Sequence, residues 1–281
     1  MSAWLASFYR ILHYLSIDVA LGACAGMYFF AKLLDVPLFG MAYLILALSV
    51  WVIYTFDHLL DAQFSPGKLE SPRHLFHRDH FKALVVLLLL ATVVVLGMAW
   101  FFLPSTAIFI AGAFLAALIL GGMLLTQKFK EKLGPIKESI TAFLYVVGLL
   151  LLPIMQGFER LTSWKWVYYM IAYLLLAWFN LVYLSLLDQQ SDQQAGQKSL
   201  VSNLGFDKTR RILFWFGLGG ILYIISLFFL LPSAYHIFTV IVLVMFLWHV
   251  RFFLEGNGTG EKTRRKLEIA FFLPGALILL A

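Results

Sequence analysis

Cysteine is nearly missing from the chain. Cys24 stands alone, so no disulfide forms within it and no cysteine-ligated metal centre is available. Charge is scarce as well: Asp, Glu, Lys and Arg make up 13% of 281 residues, against 62% hydrophobic residues and a mean hydropathy of +0.89. No stretch reads as a separate soluble domain, and apolar content on this scale exceeds what one soluble core houses. Histidine is sparse too. His74, His77 and His80 recur at a spacing of three, but His13, His236 and His249 fall in separate apolar runs. That pattern argues against the histidine boxes of an iron-dependent membrane oxidase. The net charge of +6 is not gathered into a basic face. Its residues lie in short loops between apolar runs, a signature of membrane orientation and not of nucleic-acid binding.

What the chain does have is a series of apolar runs long enough to cross a bilayer. Spans are predicted over roughly 10–33, 38–60, 83–103, 105–126, 139–158, 165–188, 211–231, 235–254 and 267–281. Pro37, Pro104 and Pro232 punctuate them, since proline cannot continue a helical ladder. Leu21-Gly-Ala-Cys24 resembles a lipoprotein cleavage box, but His13 and Asp18 in the run before it suit a signal peptide poorly. Residues 74–80 read as a short amphipathic helix outside the spans, and Gly112, Gly121 and Gly122 as positions of close helix packing. The expected fold is an all-α polytopic membrane protein, a single transmembrane domain over 1–281 with about nine helices around a central apolar cavity. An N-terminus in the cytoplasm puts 18 of the 21 Lys and Arg residues on the cytoplasmic side, leaving only Lys32, Arg160 and Lys165 outside.

Against this apolar background two acidic stretches stand out. Asp57 and Asp61 end the second run, and Asp188 and Asp192 follow the sixth. Members of each pair are four residues apart, so on a helix each pair shares one face. Carboxylates at the edge of a bilayer are costly and usually functional. The orientation above puts both pairs on the cytoplasmic side, which suggests a shared site for divalent cations. His58 adjoins the first pair. Asn180 lies two turns before Asp188, on roughly the same face, and is a candidate to line the cavity. A cation-coupled transporter would instead place its carboxylates near midplane on broken helices, whereas these lie at span ends.

Asp188-x-x-x-Asp192-x-x-x-Gly196-x-x-Ser199 resembles the second motif of the UbiA superfamily of intramembrane prenyltransferases, and Asp57-x-x-x-Asp61 resembles its first. The match covers nearly the whole chain and has two departures. Ile53 stands where the first motif usually has asparagine, and the loop that follows carries Pro72-Arg73 in place of an Arg-Pro dipeptide. The resemblance implies transfer of a prenyl group from a prenyl diphosphate to a lipophilic, aromatic acceptor within the lipid bilayer, with Mg²⁺ on Asp57, Asp61, Asp188 and Asp192. Among the basic residues of the adjoining loops, Lys128, Lys132, Lys137, Arg73 and Lys198 are candidates to contact the diphosphate, Lys137 foremost because it opens a span. Mg²⁺ suits such a site, since it favours one or two carboxylates plus substrate phosphate oxygens. The missing amide at Ile53 leaves a second possibility, a catalytically lapsed homologue that only binds lipid.

Overall fold

The structure is a computed structural model that describes residues 11–64, 72–158, 164–189, 193, 198–256 and 260–280. Its described elements are all helical. The principal ones are α1 (Ile17–Leu33), α2 (Gly40–Phe64), α3 (Pro72–Asp79), α4 (Phe81–Phe102), α5 (Thr106–Lys128), α6 (Lys137–Gln156), α7 (Lys165–Leu187), α8 (Leu200–Leu204), α9 (Phe206–Leu230), α10 (His236–Glu255) and α11 (Gly260–Ala270), with short helical turns at Lys130–Leu133, Gly134–Ile136 and Ser233–Tyr235. A 3₁₀ run, Leu273–Leu280, closes the order.

Seven of these helices, α2, α4, α5, α6, α7, α9 and α10, are long and apolar enough to cross a membrane. The expected first span corresponds to α1, which has 17 residues. The expected ninth span, 267–281, is not one helix. The polar amphipathic helix α11 begins earlier and ends at Ala270, and the chain then tightens into the 3₁₀ run that contains Pro274. Proline lacks the N–H needed to extend the ladder of α11. Seven helices among the described residues therefore have the length and apolarity of a span.

Helix α7 is the centre of the packing. Tyr169, Ala172, Tyr173, Leu176, Phe179, Asn180, Tyr183 and Leu186 recur at helical spacing and are all buried. Two of its tyrosines place their hydroxyls on backbone carbonyls: Tyr169 donates to Tyr235 O at 2.8 Å, and Tyr183 donates to Phe252 O at 2.8 Å, whereas the buried Tyr173 hydroxyl meets no partner among the described residues. Buried hydroxyls need such acceptors, because no water competes for them in an apolar interior. Helix α10 comes close to α9 at Gly220, where a Cβ would lie 2.3 Å from Phe246 Cζ. Within the long helices the closely packed glycines are Gly22, Gly26, Gly217 and Gly220. At Gly121 and Gly122 a Cβ would meet nothing within 4 Å, and at Gly112 only Leu151, at 3.9 Å.

The outer helices have the opposite character. In α4 only Leu84 and Val95 are buried. Val93, Phe101, Phe114 and Phe229 are 70%, 81%, 68% and 85% exposed. An apolar exterior this extensive would aggregate in water, while lipid solvates it without cost. Helix α3 is a short polar exception, packed against α2 and α4 at the end of α2 that carries the acidic stretch.

Candidate functional site

The last turns of α2 bring three ligand-bearing side chains together. One ligand atom each from Asp57, His58 and Asp61 lies within 4.8 Å of the others. Asp61 is 8% exposed and accepts from Gln127 Nε2 at 2.9 Å, which ties α2 to the end of α5. The His58 ring packs on His77 of α3 with 4.8 Å between centroids, and His77 Nδ1 lies 2.9 Å from Arg73 O.

Asp57 opens onto a narrow cleft whose other walls are Met123, Thr126, Gln127, Gly134, Lys137 and Lys198. Three separate segments therefore meet there: the end of α5, the start of α6, and the loop before α8. Glu138 welds the last two together. It is 5% exposed and accepts from Ser185 Oγ at 2.7 Å and Leu200 N at 3.3 Å. Ser199 then caps α8 through a reciprocal bond with Ser202. The cavity volume is about 20 Å³, room for about one water. A larger anion enters only if side chains move.

Asp188 caps α7 and pairs with Arg264 of α11, an ion pair with side chains 38% and 24% exposed. Its partner in the sequence motif, Asp192, lies outside the described residues, as does Gly196. Of the basic candidates, Lys137 and Lys198 line the cleft with Asp57. Lys128 does not: it is exposed, with Nζ 5.7 Å from the ring centroid of Phe129. Arg73 is 7% exposed and donates to Ser16 Oγ. Burial lowers the pKa of its guanidinium, opposed by the charges of Glu268 and Asp18. Asn180 is 8% exposed within α7, and its Oδ1 meets no donor among the described residues.

A second buried polar group adjoins this one. His13 Nδ1 lies 2.7 Å from Asp18 Oδ2 and 2.9 Å from Glu268 Oε2. With Arg73 facing both carboxylates, a protonated His13 balances the charges, so the group reads as an ion network joining α1, α3 and α11. Tyr54 connects the two groups, lying within electrostatic reach of Glu268, Arg73, Asp57 and Arg264.

Sequence reasoning did not single out Gln127, Glu138, Glu268 or Arg264. Glu138 carried a usable signal, since a carboxylate at the first turn of a membrane helix demands a partner.

The class defined so far is an all-helical membrane protein with paired carboxylates and lysines gathered at one end of its bundle. No protein-family model matches the chain, and no curated protein matches it in sequence. Among solved structures it is similar to the apo structure of a UbiA homolog from Aeropyrum pernix K1, with a TM-score of 0.69 and 14% identity over 94% of this chain and 98% of that one. The chain therefore has the fold of a UbiA homolog over 94% of its length.

Proposed function

We propose that this chain is an intramembrane prenyltransferase that moves a prenyl group from a prenyl diphosphate to a lipophilic, aromatic acceptor. The observation that carries the reading is the meeting of Asp57 with Lys137 and Lys198 in one cleft, beside Asp61 and at the end of an apolar bundle of UbiA-type fold. Asp57, Asp61 and Asp188, joined by Asp192 of the same motif, would hold Mg²⁺. The clustering of ligand atoms at the end of α2 fits a divalent ion, and an all-oxygen set fits Mg²⁺ once His58 stays with His77. Bound there, the ion would offset the negative charge that develops on a leaving diphosphate.

The rest is work for the chain's own residues. Lys137 and Lys198, from opposite walls, would orient the diphosphate and stabilise it as the allylic C–O bond breaks. The apolar bundle would take the isoprenoid tail and keep water from the allylic carbon until the acceptor attacks. The positive-inside distribution of Lys and Arg supports a cytoplasmic mouth for the site. A transporter reading is less well supported, because Asp57 and Asp61 sit in the final turns of a continuous helix, not on a broken one.

The test is to incubate the purified protein with Mg²⁺, labelled prenyl diphosphates of several chain lengths and a membrane lipid extract. Release of diphosphate together with a labelled lipid product is the expected result. Binding without release would leave a lapsed homologue, as the loss of the motif asparagine at Ile53 allows. Neither binding nor release would end the proposal.

A further inference from the structure

We infer that Arg264, supplied by the last helix of the chain, is a ligand of the substrate diphosphate, held on Asp188 while the site is empty of substrate. The inference rests on the prenyl-transfer reading and extends it to a part of the chain that carries neither aspartate motif.

Helix α11 is placed to do this. Thr263, Leu267, Glu268 and Ala270 form its buried face. Arg264 and Glu268 are four residues apart, so they project from one side a turn from each other. Glu268 reaches back to His13 and fixes one turn of the helix against the N-terminal segment, and the Trp248 indole donates to Lys266 O at 2.8 Å from α10. Anchored at those two points, α11 extends Arg264 towards the end of α7. There the guanidinium meets Asp188 and lies, with Asp57, within reach of Tyr54. It therefore sits on the first aspartate of the second motif, with its side chain largely withdrawn from bulk solvent.

Charge then determines what Arg264 does when substrate arrives. Its side chain is only 24% exposed and lies against the Asp188 carboxylate. An occupant that draws that carboxylate onto a cation loosens this ion pair beside a space that then holds an anion. A guanidinium in that position takes phosphate oxygens readily, because its planar donors match them two at a time. A prenyl diphosphate presents several phosphate oxygens, so a planar donor can bind beside Lys137, Lys198 and a Mg²⁺ ion. The cleft of Asp57 is too small to receive a diphosphate without moving side chains, and the Asp188–Arg264 pair, which is not part of its lining, is a partly exposed contact that an anion bound beside Asp188 can exchange.

The experiment measures binding of inorganic pyrophosphate, and separately of geranylgeranyl diphosphate, to the full chain in detergent with Mg²⁺. Wild type is compared with Arg264→Ala, Arg264→Lys and a surface control, Arg251→Ala, whose partner is Glu255 on an exposed turn of α10. Arg264→Ala is expected to weaken both ligands roughly 10- to 100-fold, the loss of a charge-assisted donor. Arg264→Lys should fall between it and wild type, and should retain the fold if Arg264→Ala does not. Arg251→Ala should change binding by less than about twofold. Unchanged or tighter binding by the Arg264 variants would show that this residue is only a counter-ion of Asp188, and would overturn the inference while leaving the prenyl-transfer reading intact. Failure of wild type to bind either ligand would overturn both.

Discussion

Gly134→Ala is a sharp probe of how the cleft is built. Gly134 opens the short 3₁₀ turn Gly134–Ile136 that leads into α6 and Lys137. A Cβ there would lie 2.5 Å from Lys198 Cβ and 2.6 Å from Lys198 O, where carbon contacts normally settle at about 3.5–4.0 Å. The loop carrying Lys198 must therefore retreat by about 1 Å. It has little freedom to do so. Leu200 N is held by Glu138, and Ser199 is fixed by its reciprocal cap with Ser202. The expected cost is about 1–3 kcal/mol of stability, the range for inserting a methyl into a packed site. Because the displaced segments carry Lys137 and Lys198, pyrophosphate binding should weaken as well, by about tenfold. Gly121→Ala is the matched control. It sits within α5 with nothing within 4 Å of the added Cβ, so it should leave binding alone and add up to about 1 kcal/mol through helix propensity. Denaturant unfolding in detergent and titration with pyrophosphate read both effects. If the two alanine variants behave alike, the packing of Gly134 on Lys198 does not organise the site.

Asp57→Asn, Asp61→Asn, Asp188→Asn and Asp192→Asn should each remove most Mg²⁺-dependent pyrophosphate binding, and two or more variants with wild-type affinity would refute the shared metal site. Their effect on stability should be small; Asp188→Asn should cost no more than about 1 kcal/mol, since its pair with Arg264 is partly exposed. Lys137→Ala should reduce pyrophosphate affinity roughly tenfold, and Lys128→Ala less than about twofold, because Lys137 lines the cleft and Lys128 lies on Phe129 outside it; equal effects would mean a diffuse basic field. Tyr169→Phe should destabilise the bundle by about 1–3 kcal/mol, measured by denaturant unfolding, since it strips the Tyr235 carbonyl and the Thr239 hydroxyl of a buried partner. Reporter fusions after Lys68, Lys132, Ser202 and Gly258 should all read cytoplasmic, and one external reading would break the predicted topology.

The bundle was legible in the sequence wherever one property decided the outcome. Apolar length places α2, α4, α5, α6, α7, α9 and α10 within a few residues of the predicted spans. It misplaced the last span for an identifiable reason. Hydropathy over 267–281 is high, but it takes no account of the polar helix running into that stretch or of Pro274 within it. Glycine was a poor guide as well. Gly121 and Gly122 look like a packing pair in sequence, yet they face open space, while the close approach is at Gly220. A glycine reports that a side chain is missing, and only the neighbouring helix determines whether that gap is used.

The site was half legible, and the division follows the range of the interactions. Asp57 and Asp61 stand out because a helix fixes their shared face through local geometry alone. Gln127, Gly134, Glu138 and Arg264 reach the site from other segments, 47 to 76 residues from their partners where bonds are recorded. No local pattern encodes such distances. Arg264 was hidden in a further way. It belongs to a basic cluster, Lys262 to Lys266, that membrane orientation already explains, so its sequence context offered no reason to separate it from its neighbours. The structure separates them by burial and partner: Lys262 and Lys266 are exposed, Arg264 and Arg265 are half-buried, and Arg264 is paired with Asp188. Ile53 is the converse case. It is visible in sequence as a departure from the motif, and in the structure it is a half-buried residue one turn before Asp57 that offers no polar atom. An apolar wall at that point would shift the polar work of the site towards groups that no motif lists: Lys137 and Lys198 in the cleft and, on the inference drawn above, the arginine of α11.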